Sequence, residues 1–211
     1  MTLPGGIAFE RPRITGCAED DAGGGVALSD DARVLLISGS TRNGSANTAA
    51  LVTAAALAPE RVTPVLYGGL ADLPAFNPDH DGDRLPPAVA ALRGEIAAAA
   101  AVLFCTPEYA GTLPGSLKNL LDWTVGGGEI YGKPAAWINV AVGGRGTGAQ
   151  EHLAMVLRYV GAVPVAEACV HVPVPRDATG PDGTITDPVI RIASGRPDSA
   201  GQARTGQVTG G

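Results

Sequence analysis

Aromatic side chains are scarce, at 4% of the 211 residues, so any core has to be assembled mainly from Ala, Val, Leu and Ile. Cysteine is scarcer still. Cys17, Cys105 and Cys169 are an odd number, lie far apart and form no CxxC pair, which excludes a zinc ribbon and a dithiol redox motif. They read as reduced thiols, and the expected location is cytoplasmic. Basic residues are outnumbered, 15 Lys and Arg against 21 Asp and Glu. A net charge of -6 gives nucleic acid no basic face to bind. No run approaches the roughly 18 apolar residues that span a bilayer, so no membrane association is expected. The N-terminus has no basic start followed by an apolar run, hence no secretory signal. His80, His152 and His171 stand apart and none belongs to HExxH, so no metal site is expected.

The chain does have a 45% hydrophobic content and a length suited to one domain with a substantial core. Residues 1–31 carry Gly23-Gly24-Gly25 and an acidic cluster from Glu19 to Asp21 without lasting periodicity. Residues 194–211 are rich in Gly, Ser, Thr and Gln. Both read as disordered tails around a folded domain at 32–193. Inside it, strand and helix patterns alternate. Arg33–Ser38 (RVLLIS) is a continuous apolar run, as in a parallel strand covered on both faces. Further strands are expected at Val62–Tyr67, Ala101–Cys105, Ala135–Val142 and Val163–Val172. Helices are expected at Ala46–Leu57, with Leu51, Val52, Ala55 and Ala56 on one stripe, and at Leu85–Ala99, Pro114–Trp123 and Thr147–Val160. A last short helix is expected after Asp187. This alternation predicts an α/β fold: a doubly wound five-stranded parallel sheet with helices on both faces. Ligands of such sheets sit beyond the carboxyl ends of the strands, which directs attention to the loops after strands one, three and four.

The first loop, Gly39-Ser40-Thr41-Arg42-Asn43-Gly44-Ser45-Ala46-Asn47-Thr48, runs from a buried strand into a helix N-terminus. Free amides and the helix dipole favour an anion there. Ser40, Thr41, Ser45, Asn47 and Thr48 add neutral donors and Arg42 a full positive charge, so a phosphate is the natural guest; the plain alternative is a turn capped by Ser45. Gly39 and Gly44 have Walker spacing, but Ser45 and Ala46 follow where lysine is needed. Thr41 breaks GxGxxG, and Arg42 breaks the GxSxG elbow of a serine hydrolase. The second loop, Thr106 to Gly115, is stiffened by Pro107 and Pro114 and can lay its backbone beside a flat ring. The third, Gly143-Gly144-Arg145-Gly146-Thr147-Gly148, lets a ligand approach the main chain, or is an ordinary flexible turn.

The segments GSTRNGSAN, TPEYAGTLPGSLKNLLDW and GKPAAWINVAVGGRGTGAQEHL together resemble the NADPH-dependent FMN reductase family, which includes azoreductases and quinone and chromate reductases. The likeness spans about Arg33 to Val172. It implies a flavodoxin-like sheet of strand order 2-1-3-4-5, bound FMN, transient NADPH or NADH, and a homodimer or homotetramer with the flavin near the subunit boundary. By position, Ser40, Arg42, Ser45, Asn47 and Thr48 would hold the FMN phosphate. Pro107, Glu108, Tyr109 and Gly111 would line the isoalloxazine ring, with Gly143, Gly144 and Arg145 closing the other side. Leu73 to Pro78 resembles the family's loop after strand two. The chain departs from the family in its long tails and in the short link Gly126-Gly127-Gly128.

The resemblance implies an oxidoreductase that passes electrons from reduced nicotinamide through FMN to a small-molecule acceptor such as a quinone, an azo compound, free flavin or a metal oxyanion. No catalytic acid or base is expected, because the flavin carries the hydride chemistry. The competing readings are a flavodoxin-type electron carrier and an FMN-binding redox sensor. A carrier would show a strongly acidic docking face, which a net charge of -6 spread over the whole chain does not make. Leu117, Leu120, Leu121 and Trp123 on the third helix offer more apolar surface than one sheet face readily covers, which supports an oligomer. Cys105, at a strand end, reads as core, and Lys118 and Asp122 read as a surface pair.

Overall fold

A computed structural model describes residues 32–186. The tails expected at 1–31 and 194–211, and the helix expected after Asp187, lie outside the described residues.

The apolar runs become a parallel sheet. Strands β1 (Ala32–Ser38), β2 (Val62–Tyr67), β3 (Ala101–Cys105), β4 (Pro134–Asn139) and β5 (Val163–Pro164) lie in the order β2-β1-β3-β4-β5. This is the flavodoxin-like order, and the strand order reverses between β1 and β3. Helices α1 (Ala46–Ala56), α2 (Pro87–Ala98), α3 (Gly115–Asp122) and α4 (Thr147–Tyr159) provide the crossovers. Side chains alternate across β1: Leu35 and Ile37 join one cluster with Leu92, Leu117 and Leu153, whereas Leu36 faces Ala50 and Leu51 of α1. So α1 covers one face of the sheet and α2, α3 and α4 the other.

The fifth strand is not continuous. Between Ala135 and Ile138 of β4 the neighbouring chain advances from Pro164 to Val170. The surplus residues are looped out as a 3-10 turn at Ala166–Ala168, and pairing resumes in β6 (Val170–His171). β4 likewise ends at Asn139, short of Val142: the Val140 carbonyl still accepts the Val174 N–H at 3.0 Å, but the Ala141 N–H is taken by the Asn139 carboxamide at 2.9 Å rather than by a neighbouring strand. α2 starts at Pro87 rather than Leu85, with proline in its first turn.

The stripe expected on α1 is also different. Leu51 is buried, but Val52 and Ala55 are half-buried and Ala56 is exposed. The buried face runs through Asn47, Ala50, Leu51 and Thr53. An alanine-rich helix carries little contrast between its faces, so neighbours decide which is covered. Here the Thr53 hydroxyl donates to Ala49 and accepts the N–H of Ile185, which docks the far end of the described chain on α1.

Leu117, Leu120, Leu121 and Trp123 are fully buried within the one chain. They leave no surplus for a subunit contact, so the oligomer argument built on them fails. Trp123 is held by its Nε1–H on the Pro74 carbonyl (2.8 Å) and by an edge-on contact with Phe76 at 4.9 Å between centroids. Asn119 bonds the Pro74 carbonyl and the Phe76 N–H, so Leu73 to Pro78 is strapped to α3. The Lys118–Asp122 pair forms at the surface, 2.6 Å apart.

Candidate functional site

The loops after β1, β3 and β4 meet around one cleft of about 280 Å³ beyond the carboxyl ends of the strands. Its position at the reversal of strand order is where this architecture leaves an opening. Gly39 permits the approach of the first two loops. A Cβ there would lie 2.2 Å from Thr106 Oγ1, and the Gly39 N–H donates to the Cys105 carbonyl at 2.8 Å.

One end of the cleft is the start of α1. Ser45 is its N-cap, with Oγ accepting from the Asn47 N–H (3.2 Å) and from Asn47 Nδ2 (3.3 Å). Asn47 Oδ1 in turn accepts from the buried Cys105 thiol. Burial pushes that thiol well above its ordinary range, so Cys105 is a core group and not a nucleophile. Ser40 Oγ accepts the Arg42 N–H at 3.3 Å. Asn43 and Gly44 form a turn that closes on Ser45, and among the described residues no hydrogen bond is made by the N–H groups of Thr41, Asn43 or Gly44. Arg42 is exposed and no described residue bonds its guanidinium. Free amides at a helix start beside an uncommitted cation form an anion site.

The rest of the lining mixes apolar and polar groups. Pro107, Glu108 and Tyr109 line one side, and Val140, Ala141, Val142, Arg145 and Gly146 the other, with Val174 between. The second loop closes as a tight turn. Tyr109 and Thr112 exchange both backbone bonds (3.0 and 3.1 Å), while Ala110 and Gly111 take φ of 51° and 76°. Tyr109 is 54% exposed at its tip. The third loop is braced from within by Asn139, which is 6% exposed and donates from Nδ2 to the Arg145 carbonyl at 3.3 Å.

Of the residues singled out in the sequence, Ser40, Arg42, Ser45, Asn47, Pro107, Glu108, Tyr109 and Arg145 come together on this cleft. Thr48 does not: its hydroxyl pairs with Ser38 Oγ at 2.8 Å and it faces an adjoining groove across the loop. Gly111, Gly143 and Gly144 are exposed and outside the lining. Glu108 lines the cleft, but its Oε2 accepts the Ala149 N–H at 3.2 Å, so the carboxylate is committed to α4. Sequence reading missed Asn139, Ala141, Val142 and Val174. Only Asn139 left a signal, as a polar residue closing an apolar strand. Tyr67, at the end of β2, lines the adjoining groove; burial, then Asp72 and Glu95, push its hydroxyl up to about 12.

Fold and cleft together define a doubly wound domain with an anion-binding helix start and an adjoining cleft at its switch point. Residues 32–175 match the family model described as NADPH-dependent FMN reductase. The chain is 38% identical over 167 residues to an NAD(P)H-dependent FMN reductase of Pseudomonas aeruginosa, covering 78% of this chain and 90% of that protein. It is 36% identical over 135 residues to a 2-hydroxy-1,4-benzoquinone reductase of a Burkholderia species, covering 62% and 73%. Among solved structures, the flavoenzyme NAD(P)H:(acceptor) oxidoreductase FerB of Paracoccus denitrificans superposes with a TM-score of 0.68 at 32% identity, over 78% of this chain and 92% of that one. The chain belongs to the NADPH-dependent FMN reductase family. It is an FMN-dependent NAD(P)H oxidoreductase. The cleft fits that cofactor: unengaged amides and Arg42 suit one phosphate, and walls that mix apolar groups (Pro107, Val140, Val142, Val174) with polar ones suit a flat ring with a polar edge.

Proposed function

We propose that this enzyme seats FMN in the cleft with its phosphate on the loop from Ser40 to Asn47 and passes electrons from NADPH or NADH to a quinone. Ser40, Arg42, Ser45 and Asn47 surround the phosphate, while Thr48 supports the loop through Ser38. Pro107, Tyr109, Ala141 and Arg145 flank the ring, with Glu108 behind and Gly111, Gly143 and Gly144 shaping the turns. The observation that carries this assignment is the cluster of unengaged amides beside Arg42, at one end of a cleft that Pro107, Tyr109 and Val142 also line.

When bound, FMN supplies the hydride acceptor and the electron store, and the chain supplies orientation. Pro107 and Val142 exclude water from the slot. Tyr109, exposed at its rim, offers a face against which a planar substrate stacks. Quinones rank ahead of azo compounds, free flavin and metal oxyanions because several relatives are named quinone reductases, among them the Burkholderia enzyme. Release of the flavin by denaturation should give FMN without FAD. Anaerobic NADPH should bleach it, and benzoquinone should restore the colour within the enzyme's turnover time. Flavin that NADPH and NADH leave oxidised would point to a carrier or a sensor.

The working enzyme is a homodimer or homotetramer in this reading. What supports it is exposed apolar surface: Met155 and Tyr159, one turn apart on α4, are 56% and 88% exposed. A cytoplasmic location is supported by the scarcity of cysteine and the acidic balance. No helix among the described residues is long and apolar enough to cross a membrane. The domain at 32–193 is proposed to bind flavin without either tail. Truncating the chain stepwise to Asp31–Ser194 is the check, and the shortened protein should stay yellow.

A further inference from the structure

Helix α4 begins without a cap of its own. Its N-cap is Gly146, which has no side chain to offer, and its first turn holds no acidic residue. The missing acceptor comes from 41 residues away, where Glu108 Oε2 takes the Ala149 N–H at 3.2 Å. The contact is reinforced beside it. A Cβ on Gly148 would stand 2.4 Å from the Gly111 carbonyl and 3.2 Å from Glu108 Oε2, so only glycine lets the Tyr109–Thr112 turn rest on this helix start. The turn is itself rigid, closed by two backbone bonds. Glu108 therefore ties the wall formed by the second loop to the wall formed by the third loop and α4.

We propose that Glu108 is a positioning residue which, by capping α4 across the cleft, joins the two walls into one body and sets the width of the slot for the flavin ring. This rests on the reading of the cleft as the flavin site. A carboxylate at a helix N-terminus is favoured by the dipole as well as by the hydrogen bond. Without it, the second and third loops are hinged separately and the slot loses its fixed width. Phosphate binding on the first loop is untouched, so FMN and riboflavin should suffer alike.

The test compares E108A, E108Q and G148A with the wild-type protein. Hydrogen exchange at the Ala149 amide in the apoprotein reads the contact itself. Titration with FMN and with riboflavin reads the slot. In E108A the Ala149 amide should exchange about tenfold faster, and both flavins should bind about tenfold more weakly, the loss expected for one hydrogen bond to a charged group. E108Q keeps an acceptor oxygen in the same place and should recover most of both losses. G148A keeps the carboxylate but pushes the turn away, and should weaken both flavins by a common factor while their affinity ratio stays at the wild-type value. The visible spectrum of bound flavin should shift in E108A and G148A and not in E108Q. Faster exchange in E108A with flavin affinity and spectrum unchanged would reduce Glu108 to a helix cap and overturn the proposal. Unchanged exchange would overturn it at the contact. A wild-type protein that bound neither flavin would instead overturn the flavin-site reading on which the proposal stands.

Discussion

Replacing Arg42 and Ser45 separately should divide binding from folding. Arg42 is exposed and has no side-chain partner among the described residues, so Arg42→Ala should leave the unfolding midpoint in urea unchanged. A flavin phosphate carries about -1.5 to -2 charge at neutral pH by analogy with phosphorylated side chains. A hydrogen bond to a charged group contributes about 1.5–3 kcal/mol, and solvent at this exposed loop favours the lower end. The expected loss is about 1.5 kcal/mol, a little over tenfold in the FMN dissociation constant. Ser45 is different because it is built into the fold. Ser45→Ala removes the α1 cap, costing about 1 kcal/mol. It also strips buried Asn47 Nδ2 of its partner, for about 1 kcal/mol more, so it should destabilise the apoprotein by about 2 kcal/mol. Calorimetric titration of both apoproteins with FMN and riboflavin, alongside urea denaturation, is the assay. Riboflavin lacks the phosphate and should not distinguish Arg42→Ala from wild type. Equal wild-type affinity for FMN and riboflavin, or an equal loss of both in Arg42→Ala, would refute the phosphate assignment of this loop.

Arg93, 8% exposed, donates from Nε to the Trp123 carbonyl, pairs with Asp81 and lies 3.8 Å from Glu129. Arg93→Met leaves two carboxylates without their shared cation and should cost about 3 kcal/mol in urea denaturation, the low end for a broken buried pair because Glu129 keeps some solvent. Ala110 holds φ of 51°, a left-handed conformation that costs a non-glycine residue about 1 kcal/mol, so Ala110→Gly should raise stability by several tenths of a kcal/mol despite the looser unfolded chain. Burial raises the Cys105 thiol above its ordinary value of 9.0. Above that pH the unfolded chain loses a proton that the native state retains, so this group makes stability fall as pH rises, an effect that Cys105→Ala should reduce. Light scattering should give a dimer or tetramer, and Tyr159→Glu should shift it towards the monomer if the α4 face carries the contact.

The order of elements was legible because strands such as β1 and β3 are short apolar runs and proline or glycine punctuates the crossover helices: Pro59 after α1, Pro86 and Pro87 at the start of α2, Pro114 before α3 and Gly161 after α4. β3 falls on the expected residues for that reason, and β2, although it carries Thr63 and Pro64 and has no buried residue, is delimited by Gly68-Gly69. The phosphate loop was legible because its chemistry is local: Ser40, Arg42, Ser45 and Asn47 are neighbours in the chain, and a strand running into a helix aims their donors the same way. Features that depend on partners distant in sequence were not legible. Nothing in the string marks the break in the fifth strand, which only pairing with β4 reveals. The alanine-rich α1 could have buried several faces, and Ile185 docking on Thr53 selects one. Glu108 and Gly148 looked like independent loop residues, one a ring contact and the other part of a glycine-rich loop open to a ligand. Their meeting follows from strand order, because placing β3 beside β4 brings the loop after one against the helix after the other. Local residues determined the chemistry available at each loop, and the packing of the sheet decided which of those groups face the cleft and which hold its walls together.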